Sequence, residues 1–263
     1  MPSTYAHDSF SKCVQSKLPK PLSDICKNYE TQFQFGSQGP DFLYFYRPTS
    51  KNHYTEIGSL IHCCTLSRYL QPMIPILKLY GTDSMEYAYI LGFICHFALD
   101  SSCHPYVIPK VKELSFPHIA METEFDRFLM EKDGENALAY PLHQLIPTDE
   151  KTLSCLHHLY PDIPEDVIAS CMKTYRSYRK LWVTPNKASY YFAKALLKCR
   201  RRSGYFCNFL LTDQTHPKAH MTNPELNVLY EKAVDLAVSY LSSFHESFTK
   251  DQPLDFRFDR NFK

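Results

Sequence analysis

His96, Asp100, His104, His118 and Glu122 all fall within residues 96–122, in the stretch GFICHFALDSSCHPYVIPKVKELSFPHIAME. Each offers a nitrogen or oxygen donor to a divalent metal ion, and imidazole mixed with carboxylate suits zinc. Three residues separate His96 from Asp100, Asp100 from His104, and His118 from Glu122. On an α-helix, side chains four apart stand one above the other on the same face. Two helices bearing such pairs can converge on one pocket. A single His-x3-Asp is common; two such pairs flanking His104 carry more weight.

The neighbours of His96 and Asp100 sharpen the point. Tyr87, Ile90, Leu91, Ile94, Phe97 and Ala98 make their helix apolar nearly all round, as expected of a buried helix. Two ionisable groups in such surroundings need strong compensation, and a metal ion supplies it. Isolated histidines such as His158 and His245 read instead as hydrogen-bonded core residues.

The elements that must position these residues follow from composition and periodicity. The 263 residues hold 7 Gly against 19 Tyr and 18 Phe, which favours helices packed through aromatics over a turn-rich sandwich; 18 Pro mark interruptions. We expect an all-α bundle, one domain over residues 1–263. Helical patterns run over 3–17 (Ser3 or Thr4 as cap), 23–33, 53–70, 74–80, 85–103, 117–133, 149–159, 164–181, 186–201 and 224–247. The helix from 85 should stop near Cys103, because Pro105 disfavours helical geometry at His104. Gly36-Ser37-Gln38-Gly39-Pro40-Asp41 reads as a loop, anchored by the aromatics of 42–46, and so holds Asp41 in a semi-buried place. The cluster Lys198-Cys199-Arg200-Arg201-Arg202 suits a helix C-terminus, where the dipole favours cations. The tail after Gln252 has no clear pattern.

Lys plus Arg total 29 against 28 Asp plus Glu, a net charge of +1. No stable grip on a nucleic acid is expected from such a balance. No apolar run reaches the ~20 residues that span a bilayer. The ten cysteines are scattered with no C-x-x-C, and the N-terminus lacks a signal-like apolar core. A cytoplasmic protein with free thiols is the expectation.

The pattern His96-x3-Asp100-x3-His104 followed by His118-x3-Glu122 resembles the core of the zinc-dependent phospholipase C family, whose helical fold is akin to that of the zinc-dependent single-strand nucleases. The segment 36–41 resembles the family stretch carrying an upstream aspartate ligand, and the resemblance covers roughly residues 1–130. It implies a compact all-α bundle holding three Zn2+ ions. Asp41, His62, His96 and Asp100 would surround one ion; His104, His118 and Glu122 would hold a second. His7 and the N-terminal amine would hold the third, with Asp100 bridging. His53 competes with His62 for its place, and His62 is preferred because it lies within an apolar helix.

The activity implied is hydrolysis of phosphate esters, with a small phosphate ester or phospholipid as substrate. Zinc brings bound water toward neutral pKa, and Asp41 is the candidate for orienting or deprotonating it. Tyr44 and Tyr46 are weaker candidates for lining a substrate pocket. The alternatives are a single-strand nuclease or nucleotidase using the same three ions, and a non-enzymatic helical zinc-binding domain.

Overall fold

The computed structural model describes residues 4–198 and 203–262. Its regular structure among the described residues is entirely helical. In chain order the α-helices are α1 Thr4–Lys17, α2 Leu22–Asn28, α3 Glu30–Gly36, α4 His53–Cys63, α5 Leu66–Leu70, α6 Met73–Tyr80 and α7 Met85–Glu113. They continue as α8 His118–Lys132, α9 Glu150–Leu159, α10 Glu165–Trp182, α11 Lys187–Lys198, α12 Ser203–Cys207 and α13 Ala219–Thr249. Short 3-10 helices occupy Gly39–Phe45, Leu142–Leu145 and Phe256–Phe258.

The axis of the molecule is α7, where every residue from Glu86 to Ser101 is buried. Ser84 starts it, its Oγ accepting from the Tyr87 amide at 3.2 Å. Helices α1, α3, α8, α9 and α13 pack around it. The closest approach is to α3, through Gly36 and Gly92. A Cβ on Gly36 would lie 2.1 Å from the Tyr89 carbonyl oxygen, and one on Gly92 would lie 2.0 Å from that of Phe33. Any side chain here would hold the two backbones apart.

Several boundaries differ from the sequence expectation. Instead of stopping near Cys103, α7 runs to Glu113 through Pro105 and Pro109. A proline inside a helix leaves the carbonyl four residues back without its usual N–H. The Ser101 carbonyl accepts instead from the Arg260 guanidinium at 2.8 Å, and Pro105 lies on the exposed side. His104 is therefore helical and stacks below Asp100.

The stretch 53–70 divides into α4 and α5, with Thr65 Oγ1 capping the Arg68 amide at the break. Residues 23–33 divide likewise at Tyr29 into α2 and α3, which runs on to Gly36. Pro224 lies inside α13 rather than at its start; His220, whose carbonyl loses the proline's donor, is exposed to solvent.

The segment 36–41 is not a loose loop. Gly36 ends α3 and Gly39 opens a 3-10 helix at φ +59. Tyr89 Oη donates to the Gly39 carbonyl at 3.3 Å, and Gln38 Nε2 donates to the Thr4 carbonyl at 3.1 Å. The tail also has a place: Phe258 and Phe262 are fully buried, the latter edge-on to Phe97. Ser3 as a cap, the N-terminal amine and Cys199–Arg202 lie outside the described residues. No described helix is long and apolar enough to cross a membrane.

Gly92→Ala tests the α3–α7 contact. Forcing a methyl group into a backbone carbonyl should cost about 1–3 kcal/mol or more. Urea denaturation should show that loss, whereas Gly134→Ala, with nothing within 4 Å of the added atom, should cost only the strain of its positive φ.

Candidate metal centre

Five elements deliver the candidate donors. His7 comes from α1, Asp41 from the 3-10 helix Gly39–Phe45, His62 from α4, His96, Asp100 and His104 from α7, and His118 and Glu122 from α8. Helix α8 also sets the position of α1. One turn beyond Glu122, the buried Asp126 carboxylate accepts from the backbone amides of Tyr5 and Ala6 at 3.0 and 2.8 Å. These are first-turn amides with no partner inside their own helix, so the bond anchors the start of α1 and with it His7.

Three groups of ligand atoms result: His7 with His96 and Asp100, Asp41 with His62 and His96, and His104 with His118 and Glu122. All eight sequence-derived metal candidates belong to one of them. His62 Nε2 lies 3.3 Å from Asp41 Oδ1 and 3.4 Å from His96 Nε2. Asp100 sits 3.4 Å from His7 Nε2 and 3.5 Å from His96 Nε2. His104 Nε2 is 3.7 Å from Glu122 Oε1, which His118 Nε2 approaches to 2.6 Å. Donors around a tetrahedral zinc with bonds near 2 Å stand about 3.3 Å apart, so most of these separations suit a shared ion.

The donor chemistry also fits. Asp100 and His7 are fully buried, yet among the described residues neither Asp100 oxygen and neither His7 ring nitrogen has a hydrogen-bond partner; the same holds for His104 Nε2. Buried polar atoms left so are costly, and a cation would satisfy them. Three of the other ring nitrogens are spent on main-chain oxygens. His62 Nδ1 donates to Gly58 at 2.8 Å, His96 Nδ1 to Ser37 at 3.2 Å, and His104 Nδ1 to Phe262 at 2.8 Å. Each bond fixes the tautomer and turns an Nε2 lone pair toward the cluster.

Electrostatics favours the ligating form of His96, Asp100 and Glu122. Burial pushes the His96 imidazole down to about 3, so it is neutral at physiological pH. Burial alone would raise the Asp100 carboxyl, but His96 and His104 overcome that and hold it well below the usual carboxylate range. Glu122 behaves alike: burial opposes ionisation, and the imidazoles of His118 and His104 help bring it to about 2. His104 moves the other way, for although burial disfavours its cation, Asp100 and Glu122 raise it.

The model of the family described as zinc dependent phospholipase C matches residues 4–183, more than half of the chain. The chain belongs to that family. The match reaches past the residue-130 limit of the motif resemblance and takes in α9 and α10. Neither a search of curated proteins nor one of solved structures finds a match.

Within this zinc dependent phospholipase C family member, the remaining candidates separate cleanly. His53 is exposed at the start of α4 with its ring on Tyr54, away from the three groups. Tyr44 Oη comes within 3.4 Å of His62 Nδ1, whereas Tyr46 turns its ring edge-on to Tyr54. His158 pairs with Glu86 at 2.7 Å, and His245 Nδ1 with Tyr87 Oη at 2.9 Å; both are hydrogen-bonded as expected, but half-buried rather than in the core. Sequence reasoning missed Phe262, whose carbonyl orients His104 and whose ring faces His62 and His96 at centroid distances of 5.3 and 5.8 Å. It also missed the role of Gly39, where a Cβ would stand 2.3 Å from the His96 ring.

Gly39→Ala should therefore displace His96 and lower bound zinc, read by metal analysis, while far-UV circular dichroism keeps its helical signal. A second expectation concerns pH. In chelator-treated protein the His96 imidazole resists protonation down to about 3, while in the unfolded chain it titrates at 6.5. The unfolded state thus takes up the proton first, so stability falls as pH drops from 6.5 toward 3, and Glu122 adds to the loss below 4.5. Urea titrations across that range should show the unfolding free energy falling by an amount on the order of a few kcal/mol. His104, whose imidazole is raised by Asp100 and Glu122, acts in the opposite direction.

Proposed function

We propose that this family member is a zinc-dependent hydrolase of phosphate esters, of phospholipase C type, with up to three ions held by His7, Asp41, His62, His96, Asp100, His104, His118 and Glu122. The observation that supports the reading most is the gathering of these donors into three adjoining groups around a buried Asp100 whose oxygens lack hydrogen bonds. Zinc, when bound, supplies Lewis acidity toward water and phosphoryl oxygens. Structural zinc sites are closed by four protein ligands, whereas catalytic ones keep a position open. Each group gathers three protein donors at most, with His96 shared between two of them, which favours catalysis over a structural role.

The chain's own groups then divide the work. Asp100 and Asp41 balance cationic charge in a desolvated place. Burial would raise the Asp41 carboxyl, but the hydrogen bond to His62 and the nearby His96 lower it below the usual carboxylate value. It stays ionised at neutral pH, and it orients a water by accepting its hydrogen bond. His62, His96 and His104, locked by main-chain oxygens, hold their lone pairs in place without reorganisation. Tyr44 stands at the Nδ1 side of His62 and lines the neighbouring aromatic cavity.

Purified protein should contain two or more zinc ions per chain; fewer would sink the cluster. It should hydrolyse phosphatidylcholine or a bis-phosphodiester, while preference for single-stranded DNA would move the reading to the nuclease alternative. His96→Ala and Glu122→Ala should lose metal with the fold retained. Asp41→Asn should reduce kcat by about 100-fold or more, as for a group that handles the nucleophile's proton.

A further inference from the structure

One helix face turns large apolar side chains toward solvent. Helix α11 buries Ala193 and Leu197 against the fold. Its opposite face carries Ala188, Tyr191, Phe192, Ala195 and Leu196, recurring at one-turn spacing. Tyr191 and Phe192 are 65% and 64% exposed and Leu196 is 43% exposed. Single exposed apolar residues are ordinary, but a contiguous apolar stripe pointing into solvent marks an interaction surface.

The charge around this stripe says what covers it. Lys187, Lys194 and Lys198 line one flank, and the helix itself contains three Lys and no acid in a chain of net charge +1. Lys187 lies 3.7 Å from Asp213, and the Lys194 ammonium sits over the Tyr190 ring at 5.2 Å. Aromatic and aliphatic side chains bordered by cations match the boundary between anionic headgroups and acyl chains. A symmetric pair of such faces would instead press the two sets of lysines together.

The position of α11 gives the match a use. It packs on α12, and Tyr205 and Phe206 of α12 join Trp182, Phe209 and Tyr44 around a cavity of about 370 Å3. Tyr44 is the residue that reaches His62. The cavity thus runs from α12, on which α11 packs, to Tyr44 at the Nδ1 side of His62.

We propose that α11 docks on an anionic phospholipid surface and presents the aromatic cavity beside Tyr44 to it. Its purpose rests on the phospholipase reading, but docking is measurable without turnover. Full-length protein should cosediment with vesicles of phosphatidylcholine plus phosphatidylserine, more weakly with phosphatidylcholine alone, and less as salt rises from about 0.1 to about 0.5 M. Tyr191→Ser/Phe192→Ser should lower partitioning about tenfold or more, and Lys194→Glu/Lys198→Glu should abolish the preference for anionic vesicles. Leu79→Ser, 79% exposed on α6, should change neither. Hydrolysis of a soluble short-chain phosphodiester should be the same in all variants.

Wild-type protein that ignores anionic vesicles, or a serine double variant that binds them as well as wild type, overturns the proposal. So does a wild-type dimer in sedimentation velocity that the same variant dissolves, which would assign the face to a second copy. Vesicle binding with no phosphodiester hydrolysis would overturn the proposed function and leave docking standing.

Discussion

The structure depends on burying one carboxylate. Asp100 lies at zero exposure in the middle of α7, with His7, His62, His96 and His104 around it. Removing an ionised carboxylate from water costs several kcal/mol even after relaxation, and that cost is offset only if positive charge or strong donors meet it from several sides. One helix cannot do this. His96 and His104 reach Asp100 from the turns above and below, while His7 and His62 must arrive on α1 and α4. Because His62, His96 and His104 turn lone pairs rather than N–H groups toward it, a shared cation would be what offsets the burial.

Main-chain groups supply the precision. Three histidines of the cluster are oriented by carbonyl oxygens, and a fourth, His7, is carried on a helix whose first amides are held by Asp126. Ser37 can offer its carbonyl to His96 because Gly36 and Gly92 let α3 lie directly on α7. Glycine acts here through the absence of a side chain. At Gly39 it does so twice, by adopting φ +59 and by leaving room for the imidazole.

The C-terminal tail closes the same site from the other end of the chain. Arg260 satisfies the carbonyl that Pro105 leaves without a donor, and Phe262 orients His104 through its own carbonyl. The proline that ought to end α7 is therefore tolerated because a residue 159 positions from Ser101 in sequence supplies the missing donor. His104 keeps its register with Asp100 as a result. On the far side, Trp182 of α10 and Tyr205 and Phe206 of α12 complete an aromatic wall next to Tyr44.

The sequence by itself determined the helical class, the candidate donors on α7 and α8, and the family, because four-residue spacing maps directly onto one helical face. Composition likewise settled what the core is made of: aromatics rather than β-branched strands. The tertiary structure decided what local rules cannot reach. It chose His62 over His53 by pointing one into the cluster and leaving the other in water, and it carried α7 through Pro105 with a donor from the tail. It also brought in Phe262, Ser37 and Gly58, whose contribution is a backbone carbonyl that every residue possesses and no residue type announces. Side-chain chemistry can be read along a chain; the partner of a main-chain oxygen depends on which distant segment the packing brings beside it.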